Sequence, residues 1–142
     1  MLTTVIGAYP KPSFLQLPDW FNAEGGTDTL KPTVDYNNAI KKMGEDSESI
    51  FLKAAAEVIN DQIECGIDIV TDGEVRRENY IHYHCRHLEG FDFENLTERP
   101  LRNENYSALL PTVNSAIKAT NLFLASDWKR AQAATEAPVK IT

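Results

Sequence analysis

The run Gly66-Ile67-Asp68-Ile69-Val70-Thr71-Asp72-Gly73-Glu74 constrains this chain more than any other stretch. It combines a helix stop, a short β-branched strand bounded by glycines, and acidic side chains at the strand's exit. A run rich in Ile and Val with little alternation is the pattern of a parallel strand covered on both faces. In α/β sheets, open or closed, ligands and reacting groups gather just past the carboxyl ends of the strands. Asp72 and Glu74 therefore fall where an active-site carboxylate belongs; Arg76-Arg77 follow at once and read as solvated or charge-balancing rather than as ligands. The alternatives are a surface carboxylate paired with Arg76 or Arg77 for Glu74, and simple capping of the turn for Asp72.

The flanking segments extend this into an alternating α/β chain. Asp46 or Ser47 is expected to cap a helix reaching Cys65, with Phe51, Ala55, Val58, Ile59 and Ile63 as its apolar stripe. Glu48 lies in the first turn, where the helix dipole favours a negative charge, and Gly66 supplies a left-handed stop. Upstream, Thr3-Thr4-Val5-Ile6 is a brief β-prone run ending at Gly7. Ala8-Tyr9-Pro10-Lys11-Pro12 cannot be helical, because each proline lacks a donor and holds its predecessor extended. From there to about Glu45 the chain reads as a long loop with Trp20 and Phe21 as anchors and a short helix over Tyr36 to Lys42.

Downstream, Asn79 to His87 reads as a second helix ended by Gly90. Phe91-Asp92-Phe93 is expected to pair with Tyr106 to Leu110 and Val113 across a polar turn at Arg102-Asn103-Glu104-Asn105, a β-hairpin excursion. Ser126 is expected to cap a helix from Asp127 to about Thr135, and Pro138-Val139-Lys140-Ile141-Thr142 to open another strand. With that strand at its end, residues 1–142 read as the N-terminal portion of a longer protein.

Charge and composition narrow the class. The net charge is −7, which disfavours nonspecific nucleic-acid binding and docking on anionic lipid, both of which need clustered cations. No apolar run approaches the roughly 20 residues of a membrane span. Cys65 and Cys85 form no CxxC pair, which points to free thiols in a reducing, cytoplasmic setting. Cys65 reads as a small core residue, and Phe91, Phe93 and Trp128 as packing anchors. In His82-Tyr83-His84-Cys85-Arg86-His87 only the pairs His82/Cys85 and His84/His87 share a helix face, so ordinary packing is preferred over a metal cluster.

Two segments carry a family resemblance. Thr3-Thr4-Val5-Ile6-Gly7-Ala8-Tyr9-Pro10 resembles the opening TT-x-IGS[FY]P of the catalytic barrel of cobalamin-independent methionine synthases, and Gly66 to Asn79 resembles that family's G-D-hydrophobic-GE-x-R segment. The strand-like Ala137 to Thr142 falls at the right later point. The resemblance implies a (β/α)8 TIM barrel, here as its N-terminal portion over residues 1–142. It also implies transfer of a methyl group from methyltetrahydrofolate to the thiol of homocysteine, with zinc holding that thiol. Carried over residue by residue, Ile6, Gly7, Ala8 and Glu74 would hold the amino-acid part of homocysteine. Ala8 stands where the family has serine, which removes one hydroxyl contact. The family's zinc ligands, a His, two Cys and a Glu, are expected beyond residue 142, so the fragment is expected to be inert alone. Alternatives are a related barrel methyltransferase using a corrinoid donor or another thiol, and a non-catalytic amino-acid-binding paralogue. Uroporphyrinogen decarboxylase, of the same broad superfamily, wants an arginine-rich site that the opening segment does not offer. The expected partners are small molecules, with neither nucleic acid nor membrane among them.

Overall fold

A computed structural model describes residues 1–17, 32–101 and 103–142. Trp20, Phe21 and Arg102, singled out above, lie outside the described residues. The element order is α1 (Pro32–Met43), a 3-10 turn (Gly44–Asp46), α2 (Ser47–Glu64), β1 (Val70–Thr71), α3 (Tyr80–Arg86), β2 (Leu88–Leu101), β3 (Tyr106–Ala119), α4 (Phe123–Gln132) and β4 (Val139–Lys140). The class is α/β, and the chain divides into two compact units. One comprises Met1–Gln16, Lys42–Arg76 and Leu122–Thr142; the other comprises Leu17–Lys41 and Arg77–Asn121.

The first unit is built around β1. Its amides alternate sides, as a strand requires. Ile69 N–H donates to Thr3 O at 3.0 Å on one side, with Thr4 bridged in parallel to Ile69, and Val70 N–H donates to Pro138 O at 3.0 Å on the other. Pairing with β4 is parallel, Val70 against Val139 and Thr71 against Lys140. Ile59, Val70 and Ala131 form the buried centre, with Ile67, Ala134, Ala137, Val139 and Ile141 packed around it. Fully burying an aliphatic side chain such as Ile59 or Val70 contributes about 1.5–3 kcal/mol each.

Helix α2 runs as the apolar spacing predicts, with Phe51, Ala54, Ala55, Val58, Ile59 and Gln62 buried. Ile63, expected in the stripe, is 41% exposed, and Gln62 takes its place at 1%. Gln62 lies three and four residues from Ile59 and Val58, so geometry centres it where hydrophobicity alone selects its neighbour. The helix ends as expected: Gly66 has φ +80, Gly66 N–H reaches Ile63 O at 2.9 Å, and Ile67 N–H reaches Gln62 O at 3.0 Å. That pair of bonds is a Schellman cap, satisfying two terminal carbonyls. At the other end neither Asp46 nor Ser47 caps with its side chain, because the 3-10 turn leads straight into the helix. Cys65, beyond that last turn, is exposed rather than in the core.

Helix α4 begins a turn earlier than expected. Its N-cap is Leu122, with no side-chain cap, and Ser126 lies inside the helix, its N–H bonded to Leu122 O at 3.2 Å. Trp128 is 42% exposed, yet its indole Nε1 donates to Val139 O at 3.0 Å and ties α4 to β4.

In the second unit, α1 is longer than the helix expected over Tyr36 to Lys42, so residues 32–43 are not loop. Asn79 caps α3 by accepting from the N–H groups of Ile81 and His82. The hairpin is present and longer than expected, two antiparallel strands of 14 residues each with Phe91 opposite Val113. Gly90 does not end α3. It sits in β2 at φ +96, where the register slips between Glu89 and Phe91, and a Cβ there would lie 2.9 Å from two carbonyl oxygens of β3. A bulge of this kind is a regular use of glycine inside a strand.

Candidate functional site

The site is assembled within the first unit from three segments that leave the sheet at one end. The first is the corner after the opening run. Gly7 turns at φ +87, and the position its Cβ would take meets nothing within 4 Å. Ile6 is 80% exposed there, and Ala8 is half-buried.

The second is the corner after β1, and its geometry is strained. Thr71 Oγ1 accepts from Gly73 N–H at 3.2 Å, and Asp72 Oδ1 accepts from Glu74 N–H at 3.1 Å. Asp72, 4% exposed, thus caps the turn through its side chain, the second of the two readings open for it. Gly73 has φ +62, and a Cβ on it would fall 2.5 Å from Val58 Cγ1. Glu74 follows with φ +55, a left-handed conformation in a residue that has a Cβ. Such outliers cost of order 1–3 kcal/mol and gather where function imposes them. Glu74 is only 9% exposed, not a surface residue, and its Oε1 accepts from Thr142 Oγ1 at 3.2 Å.

The two corners are joined directly: Tyr9 N–H donates to Gly73 O at 3.0 Å. The glycine turn and the buried acid are therefore neighbours at the carboxyl ends of parallel segments. The third segment, following β4, closes on both. Thr142 meets Glu74, and the Lys140 ammonium donates to Val5 O at 2.9 Å, one residue before Ile6. Lys140 and Thr142 were not singled out from the sequence. Their one visible signal is a pair of polar residues two apart at the exit of a predicted parallel strand.

The arginines after Glu74 behave differently from expectation. Arg76 forms a bidentate pair with Glu48, at 2.9 and 2.8 Å, and its guanidinium stacks 4.9 Å from the Phe51 ring centre. That hydrogen bond is the largest influence holding the Glu48 carboxyl below its usual range, and Arg130 adds to it. Arg77 is not solvated at all. It is 3% exposed and lies over the Tyr83 ring within the second unit.

The histidine-rich segment is engaged in contacts within the second unit. His82 Nδ1 lies 3.2 Å from Thr33 Oγ1, His84 Nδ1 meets Tyr80 O, and Arg86 pairs with the fully buried Glu78. Burial pushes the Cys85 thiol up from its ordinary value, which opposes thiolate formation. Among the described residues no three His, Cys, Asp or Glu side chains converge to hold a metal ion, so these residues do not fit a zinc site. No helix among the described residues is long and apolar enough to cross a membrane.

A central parallel strand whose exit carries a buried acid on a left-handed backbone beside a glycine corner defines an α/β ligand site of the strand-end kind. Comparison with known proteins gives the family. The profile described as the cobalamin-independent synthase catalytic domain matches residues 1–141, and the chain belongs to that family. It is 36% identical over 91 residues to a methionine synthase of Sulfolobus acidocaldarius, covering 64% of this chain and 22% of that protein. A methionine synthase of Saccharolobus solfataricus is 32% identical over 91 residues, covering 64% of this chain and 23% of that protein. The chain thus spans under a quarter of the length of these curated relatives. Among solved structures, a B12-independent methionine synthase from Shewanella sp. W3-18-1 in complex with selenomethionine superposes with a TM-score of 0.74 at 29% identity. The match covers 98% of this chain and 36% of that one.

Proposed function

We propose that this chain forms the amino-acid-binding wall of a (β/α)8-barrel methionine synthase, acting in the cytoplasm. In that reading the whole enzyme moves a methyl group from methyltetrahydrofolate to the thiol of homocysteine, giving methionine, with zinc as its metal. The described residues provide no zinc ligand set, so the part assigned to them is binding and orientation. Glu74 accepts a charge-assisted hydrogen bond from the substrate's α-ammonium group. The turn Ile6-Gly7-Ala8 offers backbone groups to the rest of the amino-acid moiety, with no Cβ at Gly7 to hold the ligand off.

The observation that carries the reading is the bond from Tyr9 N–H to Gly73 O. It sets the open glycine corner beside the strained turn that presents Glu74. The family membership and the selenomethionine bound to the solved relative support the same class of ligand.

The test is binding of L-homocysteine to the purified chain, followed by NMR titration. Homocysteine should shift the amides of Gly7, Ala8 and Glu74. Glu74→Gln should weaken binding about tenfold or more, the loss of one charge-assisted hydrogen bond. Shifts confined to other surfaces, or an affinity indifferent to Glu74→Gln, would overturn the reading. Methionine formed from methyltetrahydrofolate and homocysteine by the chain alone would overturn the assignment of binding without turnover.

A further inference from the structure

We infer that Lys140 is the carboxylate-recognising residue of this site, so that the wall reads both charges of an α-amino acid. The inference rests on the reading of Glu74 as the partner of the α-ammonium group and deepens it.

Three observations lead there. Lys140 is paired in register with Thr71, the residue from which the Asp72-Gly73-Glu74 turn departs. Its ammonium donates to Val5 O at 2.9 Å, at the root of the Ile6-Gly7-Ala8 corner. Two residues further on, Thr142 Oγ1 touches the Glu74 carboxylate. One short segment thus brings a cation to the first corner and braces the anion at the second.

The donor arithmetic leaves room for a ligand. An ammonium group has three N–H donors. Among the described residues Val5 O is the single acceptor of Lys140, and no carboxylate lies within ion-pair distance of it. A half-buried cation with unused donors, held on the carbonyl two residues before the unobstructed Gly7 turn, is suited to a carboxylate arriving from solution. The same α-amino acid would then place its ammonium on Glu74. The remaining polar group, Thr142 Oγ1, holds Glu74 Oε1 and aims the carboxylate without competing for charge.

The test uses three ligands that differ by one charged group, measured by titration calorimetry on the full chain. L-methionine carries both groups, 3-(methylthio)propylamine lacks the carboxylate, and 3-(methylthio)propionate lacks the ammonium. Lys140→Met should weaken L-methionine and the propionate about tenfold, the cost of one lost charge-assisted hydrogen bond, and leave the amine unchanged. Glu74→Gln should weaken L-methionine and the amine and spare the propionate. Lys140→Arg should restore most of the affinity for L-methionine. The unchanged amine affinity of Lys140→Met also certifies that this variant is folded.

The outcomes separate the two claims. If L-methionine does not bind, or binds without regard to Glu74, the proposed function falls and the role of Lys140 falls with it. If L-methionine and the amine depend on Glu74 but Lys140→Met keeps the preference for ligands with a carboxylate, the role of Lys140 alone is overturned. If Lys140→Met weakens all three ligands equally, the lysine merely braces Val5 and the inference is overturned in the same way.

Discussion

Gly73 is the residue on which the geometry of the acidic corner depends, and two separate constraints act on it. Its φ of +62 is strained for any residue with a Cβ, and a Cβ would collide with Val58 Cγ1 at 2.5 Å. Gly73→Ala should therefore destabilise the chain by about 2–4 kcal/mol, combining left-handed strain with overpacking. Gly7→Ala, at φ +87 with nothing within 4 Å, carries the strain alone and should cost about 1–2 kcal/mol. Urea denaturation of the two variants checks this, and equal losses would remove the steric half of the argument. At this scale the sequence was legible wherever a local rule decides the conformation. Gly66 ends α2 through backbone bonds, and the Asn79 side chain starts α3 by accepting from the Ile81 and His82 amides, both short-range contacts. The buried state of Arg77 was not legible, since an arginine beside acids reads as solvated until the chain supplies an aromatic face such as Tyr83.

Between elements, two glutamines do what additional strands do in a wider sheet. Gln62, from α2, accepts from Thr71 N–H at 2.8 Å and donates to Thr71 O at 2.9 Å, so its amide mimics the peptide of a neighbouring strand beside β1. Gln132, from α4, accepts from Val139 N–H at 3.1 Å and donates to Ala137 O and Thr135 O at 2.9 Å, serving β4 in the same way. Gln62→Leu keeps the volume but orphans a buried donor and a buried acceptor. It should cost about 2–4 kcal/mol, from 1–3 kcal/mol for each unsatisfied group. Gln132→Leu, in a partly solvated place, should cost less, and a reversed order in thermal melts would refute the comparison. Neither glutamine stood out in the sequence, because a polar residue inside a helical pattern is assigned to the wet face by default. The hairpin was legible from the alternation at Phe91 and Phe93, but its length was not. Backbone pairing continues past the apolar residues, where no side-chain pattern marks it.

For the molecule as a whole, several long-range ties of the first unit rest on carboxylates and should make its stability fall in acid. Asp68 Oδ2 accepts from Thr3 N–H and Thr3 Oγ1 at 2.7 and 2.8 Å, and these bonds, the backbone one first, hold its carboxyl below the ordinary value of 3.8. Glu48 is likewise held below its ordinary 4.5, by the Arg76 hydrogen bond first. A carboxylate whose pKa is lower folded than unfolded adds stability above its unfolded value and loses it as the pH falls through the folded one. The melting temperature should thus drop below about pH 4.5, and Glu48→Gln and Asp68→Asn should each flatten that decline while lowering the plateau at pH 7. Variants that left the acid limb unchanged would show that these pairs are too well solvated to matter. Because Lys140 and Val5 are separated by 135 positions along the chain, the wall of the site cannot form from any local stretch. Closing so long a loop carries an entropic cost, and a chain that has not closed it would be blind to its ligand. Occupancy would then report that the beginning, middle and end of this unit have all met, making a bound ligand a sensor of completed assembly.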